Sequence, residues 1–313
     1  MKIAILESLN VPAELLQQEI AAAVPQGTDV VAYDSRPSDD AELVERARDA
    51  DILVIANLPL RTAVLEQCPR VKFISVAFVG VDHVDLDYCR AHDITVSNCP
   101  GYSQEAVAEL AFGLILAVYR QLTAADAAVR SGGTGAGLGG REIAGKVLGV
   151  VGTGAIGRRV AELGRAFGAT VLGYNRTPRQ IDGVEFVPLG ELLRRADIVS
   201  VHVASTPQTR HLVSAEGIAS MRPGAILVNT ARGPVVDEAA LAQALTEGRI
   251  AGAGLDVFDS EPPLPTDAPI LAAPHTVLTP HVGFATAEAL ATRVHQVFGN
   301  IAAFSAGKPV NLV

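Results

Sequence analysis

Short apolar runs alternate with amphipathic segments along the whole chain. Runs rich in β-branched residues predict strands, and the segments between them have the spacing of helices with one apolar face. Because strands and helices alternate, the strands are predicted to pair in parallel. A first series of predicted strands comprises residues 2–6, 29–33, 51–55, 72–76 and 94–97. A second series comprises residues 146–151, 170–174, 197–203, 225–229, 252–257 and 276–278.

A long helical stretch and a glycine-rich segment separate the two series. The helical pattern covers residues 103–130, and six glycines follow between positions 132 and 140. A last helical pattern, residues 287–306, comes after the second series, and we expect it to return to the first domain. A chain of 313 residues is also longer than one core usually serves. We therefore predict two doubly wound parallel-sheet domains, formed by residues 1–98 with 287–313 and by residues 99–286.

Composition and charge narrow the possible partners. Apolar residues make up 49% of the chain and charged residues 19%, which is typical of a globular protein. The net charge of -9 argues against nucleic-acid binding, which needs clustered Lys and Arg. The longest apolar stretch, residues 106–119, is shorter than the roughly 20 residues of a membrane span. We expect neither a nucleic-acid nor a membrane partner.

The spacing of cysteines and histidines gives no sign of a metal site. Cys68, Cys89 and Cys99 form no C-x-x-C pair, and the seven histidines show no ligand motif such as H-E-x-x-H. Reduced, buried thiols are the expected state of these cysteines. The opening residues MKIAIL form too short an apolar run for a secretory signal. These features predict a cytoplasmic protein without a metal.

One glycine-rich turn has the context of a dinucleotide-binding loop. A predicted strand precedes it, a predicted helix over residues 156–167 follows it, and the next strand ends about twenty residues later. The first glycine permits a tight turn, the second lets the backbone approach a pyrophosphate, and the third lets helix and strand pack closely. The helix amino terminus then faces the phosphates. We predict a Rossmann domain whose cofactor-binding loop consists of Gly152, Thr153, Gly154, Ala155, Ile156 and Gly157.

The end of the next strand bears on the choice of cofactor. An acidic residue at this position binds the adenosine ribose of NAD and repels a 2'-phosphate. This chain has Asn175, Arg176 and Thr177 instead, with Arg179 nearby. A neutral amide beside a cation removes the repulsion and offers the phosphate a partner. We therefore expect NADP(H), and NAD(H) is the alternative if Arg176 is a solvated turn residue.

Three ionisable residues, Arg232, Glu261 and His281, each follow a different strand of the second series. Ligands of open α/β sheets bind at the carboxyl ends of the strands. A guanidinium suits a substrate carboxylate, a histidine can exchange a proton near neutral pH, and a carboxylate in contact with that histidine favours its charged form. Taken singly, each residue also has an ordinary structural interpretation. Arg232 is compatible with a surface cation, Glu261 with a loop carboxylate and His281 with a core histidine.

The runs that contain these residues resemble the three signature segments of the D-2-hydroxyacid dehydrogenase family. They read Asn229-Thr230-Ala231-Arg232-Gly233, Leu255-Asp256-Val257-Phe258 with Glu261-Pro262, and Thr279-Pro280-His281-Val282-Gly283. Together with GTGAIG they are specific, and the resemblance covers essentially the whole chain, including Phe78-Val79-Gly80-Val81-Asp82. It implies that the first domain is a flavodoxin-like substrate domain.

The resemblance also implies a role for individual residues. Arg232 binds the substrate and polarises its carbonyl, His281 is the general acid and base, and Glu261 is the charge partner of His281. Beyond the glycine loop and the three residues from Asn175, the implied cofactor residues are His202, Thr230, Ala231 and Asp256, the last at the nicotinamide. The implied substrate residues are Asn57, Val79, Gly80, Arg232 and His281.

We therefore expect an oxidoreductase that moves a hydride between NAD(P)H and a small 2-keto or 2-hydroxy acid. Glyoxylate, hydroxypyruvate and pyruvate-like acids fit better than 3-phosphoglycerate, because the Asn57 loop carries no basic cluster apart from Arg61. The alternatives are a 3-phosphoglycerate dehydrogenase and a non-catalytic dinucleotide-sensing protein of the same fold. By the resemblance the chain forms homodimers through the helix at 103–119 and the glycine-rich arm that follows it.

Overall fold

The computed structural model describes residues 1–177 and 179–313. Strands that pair into sheets run parallel, as the alternation of strands and helices predicts. The strands are β1 (Lys2–Ile5), β2 (Asp29–Ala32), β3 (Ile52–Ile55), β4 (Phe73–Val76), β5 (Thr95–Ser97), β6 (Val147–Val151), β7 (Thr170–Tyr174), β8 (Val184–Phe186), β9 (Ile198–Val201), β10 (Ile226–Asn229), β11 (Gly252–Leu255) and β12 (Thr276–Leu278).

Helices connect most of these strands, as is usual for parallel pairing. They are α1 (Ala13–Ala23), α2 (Asp40–Ala47), α3 (Thr62–Leu65), α4 (Leu86–Ala91), α5 (Gln104–Tyr119), α6 (Leu122–Arg130), α7 (Ala155–Ala166), α8 (Leu189–Arg195), α9 (Ala215–Ala219), α10 (Glu238–Thr246), α11 (Pro269–Ala272) and α12 (Ala287–Ser305), with a short 3-10 helix at Gly233–Val235.

The described residues form two compact units. Unit 1 comprises Met1–Ser103 and Ala285–Val313, and unit 2 comprises Gln104–Phe284. The sequence expectation placed the two junctions at 98/99 and 286/287. Each unit contains its own parallel sheet, which confirms the predicted pair of doubly wound domains.

Unit 1 has a sheet in the order β2-β1-β3-β4-β5, which is the flavodoxin-like order. Strands β3 and β4 are buried along their whole length, as expected for strands covered on both faces. The helix α12 packs on this sheet, where the Ser75 hydroxyl donates to the Val297 carbonyl at 3.3 Å. The rings of Phe73 and Phe304 stack with their centroids 4.4 Å apart. The last helix of the chain is therefore part of the core of unit 1.

Unit 2 has a sheet in the order β12-β11-β10-β9-β6-β7-β8. Read from β8, this is the Rossmann order with one further strand, and it reverses at the neighbouring strands β6 and β9. An apolar core involving α5 and α7 covers one face of the sheet, and a second core involving α8 and α10 covers the other. The reversal point matters because ligands of such sheets bind there.

Two local features differ from the sequence prediction. The strand β8 was not predicted, because it is an edge strand of only three residues that include Glu185 and pairs only with β7. The helical stretch predicted over 103–130 is interrupted, and α5 and α6 are bent by 60°. Gln121 lies between them at φ 51°, and its side-chain amide donates to the Gly139 carbonyl at 2.7 Å. This tertiary contact, which no local pattern reveals, accompanies the break.

Within the described ranges no single helix is both long enough and apolar enough to cross a membrane. The helices α5 and α6 meet the criteria only as a pair, across their bend. Much of α5 is buried against the sheet of unit 2.

Candidate active site

The predicted site residues of unit 2 lie in loops at the carboxyl edge of its sheet. All the strands are parallel, so their carboxyl ends share this edge, although the loops are far apart in sequence. The glycine loop follows β6, Asn175 follows β7, His202 follows β9, Thr230, Ala231 and Arg232 follow β10, Asp256 and Glu261 follow β11, and His281 follows β12.

The three glycines of the loop after β6 differ in what makes them necessary. Gly152 has φ 92°, and a Cβ there would lie 2.6 Å from the His202 carbonyl oxygen. A Cβ at Gly157 would lie 1.9 Å from the Gly152 carbonyl oxygen, so helix and turn pack too closely for any side chain. A Cβ at Gly154 would meet no described atom within 4 Å. The surrounding protein therefore accounts for the first and third glycines but not for the second.

The side chain of Asn175 is turned onto the glycine loop. Its Oδ1 accepts a hydrogen bond from the Thr153 backbone N–H at 2.8 Å, and its Nδ2 donates to the Thr153 hydroxyl. Thr153 is fully buried, while Arg176 and Thr177 are exposed. The amide thus braces the loop, which the sequence prediction, focused on the ribose, did not anticipate.

A cavity of about 350 Å³ opens beside the start of α7. Gly154 and Ala155 line it together with three arginines, Arg158, Arg159 and Arg179, and with Glu105 and Glu162. Arg159 pairs with both glutamates, whereas Arg158 and Arg179 form no ion pair within residues 1–177 and 179–313. Arg158 was missed by the sequence prediction, although its place one turn after Gly154 puts it on the same side of the helix. The cavity therefore combines a helix amino terminus with two unneutralised cations.

Two buried polar atoms near the reversal of strand order have no hydrogen-bond partner among the described residues. They are the Nδ1 atom of His202 and the hydroxyl oxygen of Thr230. The other ring nitrogen of His202, Nε2, lies 2.7 Å from the Ser200 hydroxyl. Desolvation lowers the pKa of His202 from 6.5 to about 3, so the ring is neutral at physiological pH. Buried polar atoms usually have partners, and these two therefore point to a ligand.

The carboxylate of Asp256 holds the loop that contains His281. Asp256 is buried, and its Oδ1 accepts hydrogen bonds from the Thr279 hydroxyl at 2.6 Å and the Val282 N–H at 2.9 Å. Its Oδ2 accepts from the Gly283 N–H at 2.8 Å. Sequence reasoning gave Asp256 a nicotinamide contact only. The structure adds a bracing function with three hydrogen bonds.

His281 and Glu261 are brought together. Nδ1 of His281 lies 2.9 Å from each carboxylate oxygen of Glu261, which fixes the orientation of the ring. The side chain of His281 is 14% exposed and that of Glu261 54% exposed, so the pair lies at the surface of unit 2. His281 also has φ 55°, and its N–H donates to the Asp256 carbonyl at 2.8 Å. The pair predicted from the signature segments is therefore present as a hydrogen-bonded unit.

Arg232 lies at the end of the neighbouring strand β10, just before the 3-10 helix. Its guanidinium donates to the Ala231 carbonyl at 2.8 Å, and the residue is half-buried. Gly233 packs against the backbone of Phe258 so closely that a Cβ would lie 1.8 Å from the Phe258 carbonyl oxygen. This contact holds the turn that contains Arg232 against the loop that follows β11.

Unit 1 contains the remaining predicted substrate residues. Val79 and Gly80 come after β4, where the Asn98 side chain donates to the Val79 carbonyl at 2.7 Å. Within the described residues the N–H groups of Val79 and Gly80 have no hydrogen-bond acceptor. Consecutive N–H groups of this kind are suited to an anion such as a carboxylate.

Asn57 comes after β3, and its side chain also makes no hydrogen bond within the described part of the chain. Its carbonyl accepts a hydrogen bond from Arg36 at 3.1 Å. Sequence reasoning recognised only Arg61 as a cation near this loop. Arg36 was missed, because it precedes Asn57 by 21 residues and reaches it only through the fold.

Comparison with known proteins identifies the family. The model of the "D-isomer specific 2-hydroxyacid dehydrogenase, NAD binding domain" matches residues 112–283. The glyoxylate reductase of Korarchaeum cryptofilum is 39% identical over 291 residues, which cover 90% of this chain and 87% of that protein. The chain belongs to the D-isomer-specific 2-hydroxyacid dehydrogenase family. The resemblance seen in the sequence is thereby confirmed, and the protein is a nicotinamide-dependent oxidoreductase.

Two further proteins are similar to this dehydrogenase. The glycerate dehydrogenase of Methylorubrum extorquens is 40% identical, with 87% of this chain and 88% of that protein covered. An acyclic imino acid reductase in complex with NADPH and D-Arg has a TM-score of 0.91 at 31% identity, over the whole of both chains. The dehydrogenase therefore matches enzymes of its family over nearly its full length.

Proposed function

We propose that this dehydrogenase reduces small 2-keto acids, such as glyoxylate, hydroxypyruvate or pyruvate-like acids, to D-2-hydroxy acids, with NADPH preferred to NADH. The observation that carries the proposal is the His281–Glu261 pair, with Nδ1 at 2.9 Å from both carboxylate oxygens. Because Nδ1 faces the carboxylate, Nε2 is the nitrogen we assign to proton exchange with the substrate.

The carboxyl edge of unit 2 fits a nicotinamide dinucleotide. The space beside Gly154 suits a pyrophosphate, and the buried polar atoms of His202 and Thr230 suit a ligand that supplies their partners. When bound, the cofactor supplies or accepts the hydride. We propose that the residues that hold it are Gly152, Thr153, Gly154, Ala155, Ile156, Gly157, His202, Thr230, Ala231 and Asp256.

In the proposed reaction His281 donates a proton to the carbonyl oxygen as the substrate is reduced, and it accepts that proton in the reverse direction. Glu261 stabilises the imidazolium form and holds Nδ1, so that the proton is exchanged at Nε2. Arg232 stabilises the negative charge that develops on the carbonyl oxygen and binds the substrate carboxylate. We also propose the N–H groups of Val79 and Gly80 as ligands of a substrate carboxylate.

The NADPH preference is supported by the charge around the end of β7. Asn175 carries no negative charge and braces Thr153, so it does not repel a 2'-phosphate. Arg176 is exposed next to it, and Arg158 and Arg179 line the adjacent cavity. Three cations without carboxylate partners among the described residues favour a dianionic phosphate.

The proposal is tested by initial rates with glyoxylate, hydroxypyruvate, pyruvate and 3-phosphohydroxypyruvate, each with NADPH and NADH. We expect the highest kcat/KM for one of the first three acids and a higher value with NADPH than with NADH. We also expect Arg176→Ala to lower kcat/KM for NADPH more than for NADH, and Arg194→Ala, an exposed arginine elsewhere in unit 2, to change neither. Highest activity on 3-phosphohydroxypyruvate, or equal use of both cofactors, would refute the corresponding part.

We further propose that the dehydrogenase is a cytoplasmic homodimer. On α6 no residue is buried, and Leu122 and Val129 are 51% and 73% exposed. They lie seven positions apart, on one face of the helix. An exposed apolar face of this kind suits a second copy of the chain. The cytoplasmic setting is supported by three buried, free cysteines, which are typical of a reducing compartment.

A further inference from the structure

The loop that contains Asn57 is held by a buried carboxylate from another strand. Glu7, which is only 4% exposed, follows β1. Its Oε1 accepts hydrogen bonds from the Ala56 N–H at 2.8 Å and from the Leu58 N–H at 2.9 Å. One carboxylate oxygen therefore binds the backbone on both sides of Asn57, and hydrogen bonds to a charged acceptor are stronger than neutral ones.

Arg36 completes this arrangement. Its Nε lies 3.4 Å from the second carboxylate oxygen of Glu7, and its guanidinium donates to the Asn57 carbonyl at 3.1 Å. The arginine is 53% exposed, so its charge contributes mainly through the hydrogen bond and by partly neutralising Glu7. The backbone of residues 56–58 is thus held at three successive positions by two side chains, which we call the Glu7–Arg36 clamp.

The Glu7–Arg36 clamp lies at the carboxyl edge of the sheet, beside the reversal of strand order. Strands β1 and β3 are neighbours, and the strand order of unit 1 reverses between them. Glu7 follows β1 and Asn57 follows β3, so both lie at the carboxyl ends of the strands that flank the reversal. This is the place where open α/β sheets bind ligands. Burying a charge there has a substantial desolvation cost. A turn that needed only structural support could be held without a buried charge.

We propose that Glu7 and Arg36 are positioning residues for the substrate, which act by holding the Asn57 side chain in the orientation that a 2-keto acid needs. Neither residue touches the substrate. The inference rests on the proposed function, because it takes Asn57 as a substrate ligand. If the Asn57 side chain is already held in place, less conformational freedom is lost when the substrate binds. Loss of the clamp therefore weakens substrate binding but not cofactor binding.

The two carboxylate oxygens have separate partners, and this allows a graded test. Glu7→Leu removes the acceptor for both N–H groups, whereas Glu7→Gln retains an amide oxygen that accepts both more weakly and loses the ion pair with Arg36. Arg36→Met removes the bond to the Asn57 carbonyl at an exposed position. Arg90→Met is the matched control, since Arg90 is 62% exposed and pairs with Asp87 elsewhere in unit 1.

The measurements are KM and kcat for the best 2-keto acid, the Kd of NADPH, and amide hydrogen exchange at Ala56 and Leu58. We expect Glu7→Leu to raise KM on the order of tenfold, with a much smaller change in kcat and an unchanged Kd. Exchange at Ala56 and Leu58 accelerates in this variant. Glu7→Gln and Arg36→Met raise KM by smaller factors, and Arg90→Met leaves it at the wild-type value.

Asn57→Ala distinguishes the substrate role of Asn57 from the positioning role of Glu7 and Arg36. If Asn57→Ala leaves KM unchanged, the substrate role of Asn57 in the proposed function is wrong. If Asn57→Ala raises KM but the Glu7 and Arg36 variants do not, the clamp is not a positioning device. Should Glu7→Leu fail to fold, wild-type KM values for both Glu7→Gln and Arg36→Met overturn the inference in the same way.

Discussion

Two carboxylates hold His281 in different ways. The buried carboxylate of Asp256 accepts hydrogen bonds from the Thr279 hydroxyl before the histidine and from the backbone N–H groups of Val282 and Gly283 after it, and so fixes the position of the loop. The exposed Glu261 binds the ring itself and sets how it is turned. Backbone placement and ring orientation are thus controlled separately.

The proton-transfer role of His281 is tested by His281→Gln. The amide retains a hydrogen-bonding partner for Glu261 but cannot exchange a proton near neutral pH. We expect kcat to fall by a factor on the order of 100 or more, while the Kd of NADPH stays at the wild-type value. Steady-state rates and cofactor titration measure the two quantities. A nearly normal kcat would refute the role.

His202 links burial to acid stability. Its pKa is lowered from 6.5 to about 3 by desolvation, so between these pH values the unfolded chain binds a proton that the folded protein excludes. The free energy of unfolding therefore falls as the pH decreases from 6.5 towards 3. In His202→Gln this contribution is absent, and we expect its Tm to fall less steeply over the same range. His92→Gln, at an exposed position, serves as the control and should retain the wild-type slope.

At the scale of elements, the turn from β6 into α7 determines whether the cofactor can bind. Gly157 lies within the first turn of α7, and its Cα hydrogens face the carbonyl of Gly152 at the close of the strand. The helix amino terminus can approach the phosphates only because no side chain separates it from the strand. Asn175, at the end of the neighbouring strand, then fixes the buried Thr153 of the same turn. The loop is therefore held on one side by the packing of α7 and on the other by Asn175 at the end of β7.

Gly157→Ala tests this packing. The added methyl would lie 1.9 Å from the Gly152 carbonyl oxygen, so the helix must shift away from the strand. We expect the free energy of unfolding to fall by about 1–3 kcal/mol and the Kd of NADPH to rise at least tenfold. Denaturant titration and cofactor titration provide the measurements. Gly299→Ala, at an exposed position of α12 where a Cβ would meet no described atom within 4 Å beyond its own helix backbone, is the control that should cost nothing.

Much of this element-level picture could be predicted, because it depends on local patterns. Apolar periodicity located most of the strands, and the spacing of Gly152, Gly154 and Gly157 identified the loop. The rest depends on contacts between distant segments. The hydrogen bonds of Asp256 to the next loop and the approach of Arg36 to Asn57 leave no periodic signal. The family resemblance gave the partner of His281, but the partners of Asp256 and Asn57 emerge only from the fold.

For the whole molecule, the exposed face of α6 is the feature that suggests assembly. Leu122 and Val129 are more exposed than most apolar residues of the chain, and the helix packs no buried residue of its own into unit 2. Contiguous exposed apolar surface is typical of sites where proteins associate. In the proposed homodimer, α6 of each copy contributes to the interface.

The dimer is tested with the double variant Leu122→Lys, Val129→Lys. Two lysines on each face repel their counterparts and cannot be desolvated without cost, so we expect a monomer. Light scattering after size-exclusion chromatography gives the mass of both forms. Leu271→Lys, at another exposed apolar position of unit 2, should leave the mass of the wild type unchanged. A dimeric double variant would place the interface elsewhere.

The return of α12 to unit 1 has a consequence for biosynthesis. The sheet of unit 1 is encoded by the first 103 residues, yet the helix that covers Ser75 emerges from the ribosome only after all of unit 2 has been translated. Unit 2, a continuous segment, is able to complete its core while the nascent chain is still growing. The sheet of unit 1 therefore lacks the cover of α12 until synthesis is nearly complete, so we expect its core to form after that of unit 2.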